Sequence, residues 1–212
     1  MLDYICSKNK NKSPIIIIHG IASNADSFKA QIKELKNKYY VIALNLPGYG
    51  KSKFIKNASI KNYALIVYNF IINKNFKLPI LVGHSLGGMI VQELIITYPK
   101  LAKACVLLGT SSRFGSQNPK WQKNFINSRI EPIKNGMTMK QISFASVSKI
   151  VANSTSKSKV TLAANIMSKI SEKAYISDYE VRFICNSLFM TLNLFRSLKS
   201  FSGIPFGRSI KL

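Results

Sequence analysis

The chain has 212 residues, 47% of them hydrophobic, which suits one domain with a real core. Thirty-one Lys and Arg stand against eight Asp and Glu, a formal charge of +23, but the lysines are dispersed among Asn and Ile without a basic run or interleaved aromatics, so compositional bias is expected and a clustered nucleic-acid site is not. The longest aliphatic run, Ile15 to Ile18, is far short of the ~18 apolar residues of a membrane span, and Asp3 followed by Lys8 to Lys12 is the wrong charge order for a signal peptide; a cytoplasmic protein with no membrane span is expected.

In chain order, Ile15 to Ile18 and Val41 to Leu46, bounded by Pro14, Gly20 and Pro47, read as buried parallel strands. Ser27 to Lys38 places Phe28, Ile32 and Leu35 at helical spacing with lysines elsewhere on the turn, an amphipathic helix. Ile60 to Asn73 repeats that pattern and leads into a third strand, Pro79 to Val82. Leu86 to Tyr98 is a helix stopped by Pro99, and Ala104 to Leu108 is a fourth strand. This alternation predicts an α/β fold with a mostly parallel sheet covered on both faces. The core is expected over residues 1–112, a helical cap or insertion over 113–200, and a loose tail over 201–212. Cys6, Cys105 and Cys185 are odd in number, widely spaced and without a neighbouring histidine, so free thiols and no metal site are expected. No cofactor motif is complete: Gly50-Lys51-Ser52 would need a glycine where Asn45 stands to form a phosphate loop.

The densest chemical signal is Gly83-His84-Ser85-Leu86-Gly87-Gly88, set between a predicted strand and a predicted helix. A G-x-S-x-G turn of this kind needs Gly83 and Gly87 because a β-carbon there would collide, while Ser85 is thrust out at the head of the helix. Free N–H groups and the helix dipole at that end favour a developing oxyanion. The N–H of Leu86 and that of Ile21, after Ile18-His19-Gly20, would make two donors.

With His19-Gly20, Asn45-Leu46-Pro47-Gly48-Tyr49-Gly50-Lys51-Ser52 and Gly83 through Gly88 in that order, residues 14 to 112 resemble the α/β-hydrolase superfamily, in its esterase, lactonase and acyl-hydrolase group. The resemblance implies a Ser85 nucleophile, an oxyanion hole from Ile21 and Leu86, a bracing role for His19, a helical cap, and a small acyl substrate or ligand. It also implies an acid and a histidine after the nucleophile. The chain's two histidines are His19 and His84, and neither is placed for that role. The family's final strands and helix are expected to be missing beyond Ile204-Pro205. Asp178 and Glu180 read as solvated surface charges, and no lysine stands out as a substitute base. Two functions remain open: a serine hydrolase with weak or no turnover, and a non-catalytic acyl-ligand binder or truncated remnant. An uncovered sheet edge would make residues 1–212 poorly soluble.

Overall fold

The computed structural model describes residues 1–56, 58–112 and 119–181. Strands β1 (Tyr4–Cys6), β2 (Pro14–Ile18), β3 (Tyr40–Leu44), β4 (Ile80–His84) and β5 (Ala104–Leu108) form one sheet in the order β1-β3-β2-β4-β5. All neighbours are parallel except β1, which pairs antiparallel with β3. The four strands expected from sequence are present within a residue or two. β1 was not expected: three residues, YIC, are too few to show a period. An antiparallel partner also needs no crossover helix to announce it.

The sheet buries two faces because its strands alternate. Ile16, Ile18, Ile42 and Leu44 enter a large core with α2 (Ile60–Asn73) and α3 (Leu86–Thr97), while Ile15, Ile17, Val41 and Ala43 enter a smaller one with Phe28, Ile32 and Leu35. Those three lie on a single 3₁₀ turn (Ala25–Phe28) and helix α1 (Lys29–Leu35), shorter than the helix read from sequence. At the start, Asn24 accounts for the difference, its side chain accepting the Asp26 N–H and starting the tight turn; at the end, the chain turns off the helix with the Lys38 N–H on Leu35 O. Helix α2 has the expected bounds, with Ser59 accepting the Asn62 N–H at its head.

Among the described residues, β5 is followed by four helices, α4 (Pro119–Lys134), α5 (Met139–Ser148), α6 (Lys157–Met167) and α7 (Glu172–Glu180). Thr138 and Gln141 form a reciprocal capping box that starts α5. The expected tail over 201–212, the end of the expected insertion and Cys185 lie outside the described residues. Cys6 and Cys105 are free thiols. No described helix is long and apolar enough to cross a membrane. At the far edge of the described sheet, Val106, Leu107 and Leu108 of β5 are exposed.

Candidate active site

The strand-to-helix corner is built around one strained residue. Ser85 has φ 52° and ψ −117°, a left-handed conformation that a residue with a β-carbon adopts only under outside constraint. The constraint is visible in its hydrogen bonds. Ser85 N–H donates to Leu108 O at 2.9 Å, tying the corner to β5, and Ser85 O accepts from Gly88 N at 2.9 Å and from the Thr110 hydroxyl at 2.8 Å. Glycine is required by close approach. A β-carbon on Gly83 would lie 2.6 Å from Gly88 Cα, one on Gly87 2.7 Å from His19 O, and one on Gly20 2.8 Å from Ser85 Cβ. Gly88 packs against Thr110.

Thr110 carries no motif and was not singled out in the sequence, yet it both clamps the Ser85 carbonyl and fills the space beside Gly88. Thr110→Val keeps the shape and removes the hydroxyl. It is expected to lower stability by about 1 kcal/mol, read by urea denaturation; an unchanged midpoint would show that the clamp contributes nothing.

The turn after β2 faces this corner. Leu86 is the first residue of α3, where N–H groups have no partner within the helix. Ile21 lies half-buried in the turn, next to Ala22 at φ 62°. His19, fully buried, anchors the turn. The Leu46 N–H donates to His19 Nε2 at 3.0 Å, so that nitrogen is unprotonated; Nδ1 therefore carries the hydrogen and donates to Gly20 O at 2.8 Å. Burial holds its pKa down to about 4, the Gly20 carbonyl opposing only in part. His19 is thus a neutral structural ring with both nitrogens committed. His84, at the exposed end of β4, lies near Gly20 and Gly109, and desolvation lowers its pKa as well.

The loop after β3 is held from two sides. Asp3 Oδ2 accepts Asn45 Nδ2 at 2.8 Å and the Lys51 N–H at 3.0 Å, and the Ser52 hydroxyl donates to Asn45 O at 2.6 Å. From the other side, Asp178 on α7 accepts the hydroxyls of Tyr49 at 2.5 Å and Tyr63 at 2.6 Å. The surface reading of Asp178 is overturned: it is fully buried, and burial raises its pKa to about 6 against the two hydroxyls that favour its charge. A signal for this was present. Ala174, Tyr175, Asp178 and Val181 follow helical spacing and are all buried, so the carboxylate sits in the apolar stripe of its helix. Glu180 does face outward, 3.5 Å from Lys134. The structure therefore brings together Ser85, Leu86, Gly20 and the turn carrying Ile21, and commits Asp178 to tyrosines rather than to an imidazole. Among the described residues no group of three His, Cys, Asp or Glu could hold a metal ion.

Residues 13–162 match the alpha/beta hydrolase fold family. The hydrolase YugF of Bacillus subtilis is 32% identical over 114 residues, 53% of this chain and 42% of that protein. The pimeloyl-[acyl-carrier protein] methyl ester esterase of Wigglesworthia glossinidia brevipalpis is 30% identical over 123 residues, 57% of this chain and 46% of that protein. These matches span about half the length of the curated relatives. Among solved structures, the esterase EaEST from Exiguobacterium antarcticum superposes with a TM-score of 0.75 at 19% identity, over 88% of this chain and 71% of its own.

Proposed function

Given that the chain belongs to the α/β-hydrolase fold family, we propose that it carries the acyl-binding, nucleophile-bearing part of a serine hydrolase for small carboxylic esters, lactones or thioesters. The observation that carries this reading is the strained Ser85, held at φ 52° at the head of α3 beside the turn of residues 19–22. The Ser85 hydroxyl oxygen attacks the substrate carbonyl while its proton passes to solvent water; the carbonyl oxygen takes up the negative charge and is held by the N–H groups of Leu86 and Ile21; the C–O or C–S bond to the alcohol or thiol breaks, the leaving group regains a proton from water, and an acyl-serine remains, which a second water hydrolyses to the free acid and the Ser85 hydroxyl. His19 braces the turn, and Gly20, Gly83, Gly87 and Gly88 give the approach its room. Helices α4 to α7 serve as the cap that selects the acyl group.

Residues 1–212 offer no imidazole suited to taking the Ser85 proton. His19 is buried with both nitrogens bonded, and His84 precedes Ser85 directly in the chain, its ring beside Gly20 and Gly109. Loss of the base commonly removes several orders of magnitude of rate while the oxyanion donors preserve a small remainder. The same fact favours a second reading, a non-catalytic binder whose corner and cap hold an acyl ligand.

The test is labelling of the 212-residue chain with a fluorophosphonate, with Ser85→Ala as control and p-nitrophenyl acetate turnover alongside. Slow Ser85-dependent labelling with weak turnover is expected. Fast labelling with turnover would mean that an effective base exists, and labelling that survives Ser85→Ala would remove the assignment of the nucleophile.

A further inference from the structure

Tyr49 stands between α7 and the turn that follows β2. Its ring centroid lies 4.6 Å from that of His19, whose Nδ1–H binds Gly20 O at the start of that turn. The hydroxyl hydrogen is given to Asp178 Oδ2 at 2.5 Å. A carboxylate only accepts, so Asp178 fixes the rotor, drawing the hydrogen toward α7 and holding the Tyr49 ring in place against His19. The turn needs such support, because Ala22 within it has φ 62°, a conformation that L residues other than glycine rarely hold unaided. A buried carboxylate is also a poor way to join α7 to the sheet, since an apolar side chain of similar volume would do so without the desolvation penalty.

We infer that Asp178 is a positioning residue: through Tyr49 it sets the shape of the turn at residues 20–22, so that the seating of α7 and the aim of the Ile21 N–H rise and fall together. The functional half of this inference rests on the reading of Ile21 as an oxyanion donor. The coupling of α7 to the turn does not. Tyr63 supplies a control, for its hydroxyl binds the other oxygen of Asp178 at 2.6 Å from helix α2 and takes no part in the turn.

The experiment is amide hydrogen exchange by NMR on the 212-residue chain and on Tyr49→Phe, Asp178→Asn and Tyr63→Phe, each normalised to its own global stability, with Ser85 fluorophosphonate labelling rates on the same samples. Tyr49→Phe and the near-isosteric Asp178→Asn are expected to speed exchange at Ile21 and Ala22 by about tenfold, the loss of one hydrogen bond's worth of protection, and to slow labelling with no loss of probe affinity. Tyr63→Phe should change neither by more than about twofold. Equal effects of the three variants on the turn, or none, would overturn the coupling and leave Asp178 as a plain helix anchor. Faster exchange with unchanged labelling would overturn the functional half. Absence of wild-type labelling would instead refute the hydrolase reading, with the coupling still decided by the exchange rates.

Discussion

Alanine at Gly87 is expected to destroy the strand-to-helix corner, lowering stability by about 3 kcal/mol or more. The single added carbon would meet the Ile18 carbonyl group and lie 2.7 Å from His19 O. Both belong to backbone at the end of β2, the strand paired on either side by β3 and β4. A flexible side chain could swing away; a central strand cannot, so the strain must go into α3, Ser85 or the sheet register. Gly136→Ala is the comparison. Gly136 has φ +90° and nothing within 4 Å of where the new carbon would sit, so only backbone strain applies, about 1 kcal/mol. Urea denaturation of the two variants reads the difference. Similar midpoints would mean that the corner yields more easily than its packing implies.

Two buried groups should titrate against each other between pH 4 and 6.5. His19 has its folded pKa lowered by burial from 6.5 to about 4, so its contribution to stability is complete above 6.5 and is lost as pH falls toward 4. Asp178 has its folded pKa raised by burial from 3.8 to about 6, so the folded state binds more protons than the unfolded one in that window. Its contribution is complete below 3.8 and is lost as pH rises through 6. At about 1.4 kcal/mol per unit of pH, each is worth about 3 kcal/mol, with opposite sign. The wild-type protein therefore conceals both. Asp178→Asn is expected to make the protein about 3 kcal/mol more acid-sensitive than wild type from pH 6.5 to 4, and His19→Gln to reverse the slope. Chain-wide repulsion from the +23 charge is common to all three proteins and cancels in the comparison. Parallel stability curves for wild type and both variants would show that neither group titrates as its burial requires.

The strand runs and helix α2 were legible in the sequence because parallel strands buried on both faces need near-continuous aliphatic residues, and the glycines of the corner because backbone contact leaves no room for another side chain. What escaped was the part made by distant polar pairs. Asp178 meets Tyr49 and Tyr63 across 129 and 115 residues, and no local period encodes which hydroxyls a carboxylate will find. A buried acid within a helix's apolar stripe was the available clue, outweighed by the usual preference of aspartate for water. Thr110 was missed for a similar reason, since its value lies in reaching the Ser85 carbonyl 25 residues back. His19 differs: the resemblance implied a brace for it, and the sequence did not show that its ring bonds the Leu46 N–H and the Gly20 carbonyl.

The bond from Ser85 N–H to Leu108 O and the clamp from Thr110 both reach Ser85 from β5 and the residues just after it, and β5 is the outermost described strand on that side of the sheet. Outer strands fray before central ones. The tension stored at the serine is therefore moored to an outer strand of the described sheet rather than to its centre, and whatever stiffens or loosens that strand will tune the serine from a distance, without touching its pocket.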